Sequence, residues 1–256
     1  MSAEGGQPGN FSEVYVVLME LHDFMAFASR EISGVAVTAP LIHNSALNYA
    51  VNPTAGIHRV PSDDRPHYLE DFERVSVYAT PAALLGAVAG SGLADAEPVR
   101  ITYNAVNTVL QVTEEFRLVA GKVSKRKVVL PRMGAYVSYP PRTLYRFFAL
   151  GGRPPSIVRV GKKGAQARLR AVRASEVRVV RGRHRPDHPV NPLDLPGETR
   201  ILSGALEAIP PWPLLTNAEL DGPHLEVRAA DPLSGRPQRF TVAMPNPEVY
   251  RSVRLG

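Results

Sequence analysis

The chain has 256 residues, enough for one large or two small domains with a sizeable core. It contains no cysteine, which excludes disulfides and zinc or iron–sulfur sites built on cysteine ligands. A formal net charge of +6 favours an acidic partner such as RNA, DNA or anionic lipid. No apolar run approaches the roughly 20 residues that a membrane-spanning helix needs. We therefore expect a soluble, cytoplasmic protein without a membrane partner.

The predicted elements begin after a small, polar segment at residues 1–12, which we expect to be disordered. A long run at 13–21, made mostly of β-branched and aliphatic residues, predicts a central strand. Apolar residues at helical spacing predict a helix over 41–50, and Asn52-Pro53 ends it. Residues 53–73 are polar and rich in Pro and Asp, which predicts a long loop.

A second strand is predicted at 74–80, and a second helix at 81–90 with Pro81 in its first turn. From residue 99 onwards, β-branched residues predict mostly strands. A hairpin is predicted at 156–172, around the turn Gly161-Lys162-Lys163-Gly164. Further strands are predicted at 143–150, 176–181, 225–229 and 239–243.

These elements sum to an α+β fold with an open, mostly antiparallel sheet and few helices. Their opening order, strand, helix, strand, helix and strand, is compatible with a ferredoxin-like core. We expect one domain over 13–256, with a basic region at about 103–172. The tail at 186–256 is rich in proline and is expected to be an elaboration of this domain.

Charge is distributed unevenly along the chain. Residues 13–100 contain eleven acids and five bases, whereas residues 117–185 contain nineteen Lys and Arg and a single acid, Glu176. A long basic stretch interleaved with aromatic rings is typical of a surface that binds nucleic-acid phosphates and stacks on bases. The simpler alternative is a solvated charged face in an arginine-rich protein.

The candidate RNA-binding side chains of this region are Lys125, Arg126, Lys127, Arg132, Tyr136, Arg142, Lys162, Lys163, Arg168 and Arg170. Two glycines in the 161–164 turn let the backbone approach a ligand closely, and the two lysines add charge at its tip. Arg159, Arg168 and Arg170 would alternate onto one strand face. A plain solvated hairpin turn is the competing interpretation.

The sequence carries no motif for nucleophilic catalysis or for a phosphate-binding Walker loop. His22-Asp23 lacks the further histidine and carboxylates that a two-metal phosphohydrolase needs. The histidines at 184–188 also lack a complementary cluster of ligands. Metal-free RNA cleavage, with His22, His43 or His184 as the general base, is an alternative that the residues leave open. We expect no enzyme activity, no metal and no cofactor.

Two N-terminal segments, LHDFMAFASREI and APLIHNSALNYAV, resemble the Cas5-type subunit (Csc family) of type I-D CRISPR effector complexes. The matching positions are Leu21, His22, Asp23, Phe27, Ala28, Arg30, Glu31, Ile42 in place of Leu, His43, Asn44, Ala46, Leu47, Tyr49 and Ala50. Segments at 78–82, 107–108, 131–134, 147–148 and 159–162 follow in the order that the family shows. The resemblance covers about residues 14–175.

This resemblance implies a RAMP fold, which is a modified ferredoxin-like or RRM-like domain, in a non-catalytic subunit. Such a subunit caps one end of a Cascade complex and binds the 5′ handle of the crRNA. The implied partners are the backbone RAMP subunit and the large subunit, with target DNA near the PAM as a further possible contact.

Within this framework, residues 103–140 could form an inserted thumb-like hairpin. His22, Arg30, His43 and Asn44 could either contact handle bases or brace the core. Two other functions stay open: a metal-independent endoribonuclease that processes CRISPR repeat RNA, and an RNA-binding module outside CRISPR.

Overall fold

The computed structural model describes residues 13–32, 35–53, 67–90, 92–104, 111–119, 122–130, 133–161 and 164–253. Strands dominate this part of the chain, and its α-helices are the short α1 (Asn44–Val51) and α2 (Tyr68–Phe72). The strands are β1 Val14–Leu21, β2 Arg30–Ile32, β3 Val35–Val37, β4 Leu41–Ile42, β5 Tyr78–Ala79, β6 Ala82–Ala89, β7 Gly92–Ala94, β8 Val99–Asn104, β9 Gln111–Val119, β10 Lys122–Leu130, β11 Met133–Ser138, β12 Thr143–Leu150, β13 Ile157–Val160, β14 Ala165–Arg173, β15 Glu176–His184, β16 Arg200–Glu207, β17 Leu214–Ala230 and β18 Pro237–Ala243. Neither of these described α-helices has the length and apolar character of a membrane-spanning segment.

The central sheet has the strand order β13-β14-β1-β12-β6-β4, with β5 beside β12 and β7 beside β6. Strand β1 lies in its middle and pairs antiparallel with both β12 and β14. The predicted central strand at 13–21 is therefore confirmed. The predicted hairpin at 156–172 is also confirmed, because β13 and β14 pair antiparallel around the 161–164 turn.

The two faces of the central sheet are covered by different parts of the chain. One face packs against α1 through Val17, Met19, Leu47, Tyr145 and Phe147. The other packs against the C-terminal strands through Val14, Val16, Phe148, Leu225 and Phe240. Burial on both sides explains why β1 is a continuous apolar run rather than an alternating one. It also makes the proline-rich tail a part of the core, since β17 and β18 supply five of the fourteen described buried residues of this second cluster.

The remaining strands form three smaller sheets. Strands β2, β3, β11 and β8 form a four-stranded sheet, in which β3 and β11 are parallel. Strands β15, β17 and β16 form the C-terminal sheet, and β18 also pairs with β17. Strands β9 and β10 form an antiparallel pair on their own. The stretch predicted as mostly strand from residue 99 onwards begins with β8 and β9, and residues 105–110 between them lie outside the described ranges.

The prediction of a helix at 81–90 is wrong, because this segment is strand β6. Its alanines and leucines favour a helix locally, but pairing with β12 on one side and β4 on the other decides the outcome. Gly86 has φ of +143°, and a Cβ there would lie 2.6 Å from the Ala94 carbonyl oxygen of β7. Glycine at this position therefore allows β7 to approach β6 closely.

Three other predicted boundaries shift. The helix predicted over 41–50 starts later, at Asn44, because Leu41 and Ile42 form β4 and His43 caps the helix. The loop predicted at 53–73 contains α2, and residues 54–66 are not among those described. Of the strand predicted at 74–80, only Tyr78–Ala79 is paired. The segment 1–12 that we expected to be disordered lies outside the described residues.

Candidate nucleic-acid interface

One end of the central sheet brings together several of the predicted RNA-binding positions. Because β1 is antiparallel to β12 and β14, its last residue lies beside the first residues of both neighbours. The backbone N–H of His22 donates to Gln166 at 2.9 Å, and that of Arg142 donates to Leu21 at 2.7 Å. Both side chains are exposed. The 161–164 turn joins β13 to β14 at the same end, although Lys162 and Lys163 themselves lie outside the described residues.

Exposed arginines continue from this end along the outer strands of the sheet. In β13 and β14, Arg159, Arg168 and Arg170 are exposed and alternate with buried Val, Ala and Leu residues. Cross-strand pairing places Arg159 opposite Gln166 and Arg168 opposite Ile157, so these side chains share one face. The predicted alternation of the three arginines is confirmed. We use the name arginine face for these three side chains together with Arg142, which lies at the adjoining end of the sheet.

The arginine face retains its positive charge. Within the described ranges, no ion pair involves any of its four arginines. The guanidinium of Arg159 donates to the Gly164 carbonyl at 3.2 Å, and that of Arg170 to the Pro232 carbonyl at 3.0 Å. Such bonds to neutral carbonyls orient the side chains and leave their charge unbalanced. Glu20 lies opposite Arg168 in the β1–β14 ladder and is the acid that faces it.

Other arginines of the basic stretch are neutralised in the C-terminal sheet. Arg178 pairs with Glu176 at 2.5 Å, and Arg181 pairs with Glu198 at 3.2 Å. Arg185 pairs with Glu219 in the same way. The count of nineteen cations against one acid therefore overstates the charge available for phosphates, because later parts of the chain supply the balancing carboxylates.

The remaining predicted cations and rings lie in other sheets. Tyr136 is half-buried in β11, and Arg30 at the start of β2 binds the carboxylate of Glu207 at 2.7 Å. The backbone of Lys125, Arg126 and Lys127 lies in β10, opposite residues 114–116 of β9. Arg132 lies outside the described residues.

His43 and Asn44 are buried and act on the protein's own structure. The Nδ1 atom of His43 accepts a hydrogen bond from the Ser45 backbone N–H at 3.0 Å and so caps α1. Burial lowers the pKa of His43 to about 4. The side-chain oxygen of Asn44 accepts from Asn191 at 3.2 Å, and its amide donates to Asp194. Of the two roles open for these residues, their surroundings favour bracing the core.

Asp194 is a buried carboxylate that sequence inspection missed. It accepts hydrogen bonds from the Tyr250 hydroxyl at 2.7 Å, from the Tyr78 hydroxyl at 3.1 Å and from Asn44. Burial raises its pKa to about 6, although the hydrogen bonds act in the opposite direction. Its donors come from α1, β5 and the C-terminal segment, so Asp194 links elements that are far apart in sequence.

The histidines of the 184–188 segment are held by internal contacts. The ring of His184 stacks on that of His224 with centroids 3.9 Å apart, and burial lowers its pKa. The Nε2 atom of His188 accepts from the Ala243 backbone N–H at 3.1 Å. The described part of the chain contains no group of three or more His, Asp or Glu residues that could hold a metal ion.

A substitution at Gly161 tests how closely this residue approaches Ala26 in the loop after β1. Its φ is +78°, and an added Cβ would lie 2.8 Å from the Ala26 carbonyl oxygen. Gly235 has a similar φ of +70°, but no atom lies within 4 Å of its added Cβ. We expect Gly235→Ala to cost about 1 kcal/mol from backbone strain alone. Gly161→Ala should cost at least about 1 kcal/mol more, because the clash adds to the strain.

Urea denaturation of the two glycine variants measures this difference. Equal unfolding free energies for Gly161→Ala and Gly235→Ala would contradict the close approach of the turn to Ala26.

Comparison with known proteins identifies the family. A family model described as "Type I-D CRISPR-associated protein Cas5/Csc1" matches residues 12–245. No curated protein matches the chain significantly. Among solved structures, a chain in the cryo-EM structure of the type III-B Cmr-β complex bound to cognate target RNA and AMPPnP is similar. It has a TM-score of 0.41 and 10% identity over 90% of this chain and 84% of that chain.

The family match extends well beyond the segments on which the resemblance rested. It includes β15 to β18, and so the C-terminal sheet that packs against β1 and β12. This agrees with a tail that contributes to the core rather than an appended segment. The chain belongs to the type I-D CRISPR-associated Cas5/Csc1 family.

Proposed function

We propose that the chain is a non-catalytic subunit of a type I-D CRISPR effector complex, where it binds the 5′ handle of the crRNA and caps one end. Membership of the family supports a place in such a complex. The observation that carries the RNA-binding role is the arginine face, where exposed guanidinium groups lack carboxylate partners within the described residues.

The arginine face suits a single RNA strand. Arg168 and Arg170 are two positions apart in β14, which separates them by about 7 Å along the strand. Each guanidinium can therefore contact a different phosphate, and its planar fork binds phosphate oxygens bidentately. Arg142 and His22 extend this track at the end of the sheet. Lys162 and Lys163 would add charge between Gly161 and Gly164.

The same proposal assigns roles to the rest of the fold. The central sheet with α1 would correspond to the modified ferredoxin-like RAMP domain. The β9–β10 pair would be the thumb-like hairpin, with Lys125, Arg126 and Lys127 in β10 and Arg132 and Tyr136 following it. The neighbouring backbone RAMP subunit and the large subunit would be its protein partners, and target DNA near the PAM a further contact.

Two measurements on repeat-derived RNA test this function: the affinity of the chain for the RNA, and whether the RNA is cleaved. We expect the purified chain to bind RNA that ends in the 5′ handle at least about tenfold more tightly than the same nucleotides in scrambled order. We also expect this RNA to stay intact with or without divalent metal.

Two results would favour the alternatives instead. Cleavage at one position that is lost in His22→Ala would support the repeat-processing endoribonuclease, since His22 is exposed beside the arginine face. Equal affinity for handle and scrambled RNA would support an RNA-binding module outside CRISPR.

A further inference from the structure

Among the strands that the structure describes, β16 is an edge of the C-terminal sheet. Strands β15 and β16 both pair with Leu220, so they lie on opposite edges of β17 and β16 is outermost. Residues 200–206 are all exposed, and three of them are large and apolar: Ile201 at 47%, Leu202 at 40% and Leu206 at 65%. Proteins usually protect such an edge with charges or proline, because its free N–H and C=O groups invite another strand.

The charges at the two ends of β16 are already balanced within the chain. Arg200 forms an ion pair with Asp221, and Glu207 forms one with Arg30. The segment between them, ILSGAL, carries no charge. The exposed edge of β16 therefore offers a neutral, apolar strand between its charged ends, and its register on β17 shifts between Ile201 and Ser203 and between Ser203 and Ala205.

This edge leads directly into a cleft. The cleft has a volume of about 270 Å³ and is lined by Phe27, Leu41, Tyr68, Ile209, Pro210 and Pro211 among others. Small-molecule sites typically measure about 300–1,000 Å³, so this cleft suits one or two side chains. Leu206 and Ile209 are three positions apart in the chain, which spans at most about 10 Å. The edge and the cleft therefore form one continuous surface.

The chemistry of this surface distinguishes a polypeptide from RNA. No Lys, Arg, Asp or Glu is among the described residues that line the cleft. The cleft histidine, His43, is buried with its pKa lowered to about 4, so it supplies no positive charge at neutral pH. The described lining of the cleft therefore offers no cation to a phosphate group, whereas Arg142, Arg159, Arg168 and Arg170 of the arginine face are exposed. Uncharged apolar protein side chains match both the lining of the cleft and the exposed residues of β16.

We propose that β16 and the adjoining cleft dock an extended, uncharged, apolar segment of a neighbouring protein subunit. The segment would pair with β16 as an added strand and place one aromatic or aliphatic side chain in the cleft. Backbone pairing supplies much of the affinity in this mode, and the buried side chain supplies specificity. The inference rests on the proposed function, because the neighbour is another subunit of the effector complex.

The test uses the complete effector complex, co-expressed with crRNA and with one variant of this chain at a time. Leu206→Glu places a charge on the apolar edge without disturbing the core, because Leu206 is 65% exposed. Leu193→Glu is the matched control, since Leu193 is 56% exposed but lies outside β16 and the cleft lining. Native mass spectrometry gives the fraction of complexes that contain this subunit as protein concentration is lowered.

We expect Leu206→Glu to weaken incorporation at least about tenfold and Leu193→Glu to leave it unchanged. Ala46→Leu is a second variant, which fills part of the cleft from helix α1 with a residue that favours helix. It should also weaken incorporation. If Leu206→Glu and Ala46→Leu were both incorporated into the complex as well as the wild-type chain, the proposal would be overturned.

Two further results would also overturn it. The purified wild-type chain could form a dimer that Leu206→Glu converts to a monomer. In that case the segment docked on β16 would belong to a second copy of this chain. Loss of RNA binding by isolated Leu206→Glu would assign the surface to RNA. Failure of the isolated wild-type chain to bind handle RNA, by contrast, would contradict the proposed function and not the docking surface.

Discussion

Asp194→Ala should lower the free energy of unfolding by about 3 kcal/mol or more. The substitution leaves the hydroxyls of Tyr78 and Tyr250 and the amide of Asn44 without their shared acceptor. Each buried donor that loses its partner costs about 1–3 kcal/mol. Because these donors belong to α1, β5 and the C-terminal segment, the loss also weakens the packing of the tail on the central sheet.

Urea denaturation at neutral pH, with Asp95→Ala as the control, measures this effect. Asp95 is exposed, so its substitution should change stability by less than about 0.5 kcal/mol. The stability cost of Asp194→Asn should lie between those of Asp194→Ala and Asp95→Ala. The amide keeps one acceptor oxygen, but its NH₂ group faces a donor. A cost below about 1 kcal/mol for Asp194→Ala would show that the buried network does not hold the tail in place.

The patterns that predict strands are the most informative part of the sequence. The apolar run at 13–21 predicts a strand buried on both faces, and β1 is such a strand. Alternation in residues 157–170 places Arg159, Arg168 and Arg170 on one face, as the structure confirms. The same alternation also identifies Gln166 on this face, a candidate that we had missed. Local spacing suffices here because strand geometry fixes which side chains share a face.

Features that depend on distant partners could not be predicted from local sequence. Residues 81–90 favour a helix by composition, yet they form β6 because β12 and β4 flank them. The charge count could not reveal that Glu198 and Glu219 neutralise Arg181 and Arg185, since these acids come later in the chain. The Asn44–Asp194 bond joins residues 150 positions apart, and no spacing rule relates them.

Arg142→Ala/Arg168→Ala should weaken binding to single-stranded handle RNA at least about tenfold at low salt. Both residues are exposed and form no ion pair within the described residues, so their guanidinium groups can contact phosphates, although Glu20 lies opposite Arg168. Each phosphate neutralised on a single strand contributes about 0.7 to the slope of log K against log salt. The double substitution should therefore reduce the steepness of that slope by about 1.4.

Arg178→Ala/Arg181→Ala is the matched control for this prediction. It removes the same formal charge, so long-range attraction to RNA changes equally in both variants. Arg178 and Arg181 already pair with Glu176 and Glu198, and we expect their loss to leave the salt slope within about 0.3 of wild type. Lys162→Glu/Lys163→Glu should flatten the slope as well, which extends the test to the two residues of the turn outside the described ranges.

The salt dependence of RNA affinity in these two double variants is the most direct test of the proposed RNA-binding surface. Affinities measured at several salt concentrations give the slope for the wild type, Arg142→Ala/Arg168→Ala and Arg178→Ala/Arg181→Ala. We expect a shallower slope only for Arg142→Ala/Arg168→Ala. Parallel lines for the wild type and Arg142→Ala/Arg168→Ala, or a larger effect of Arg178→Ala/Arg181→Ala, would show that the RNA lies elsewhere on the protein.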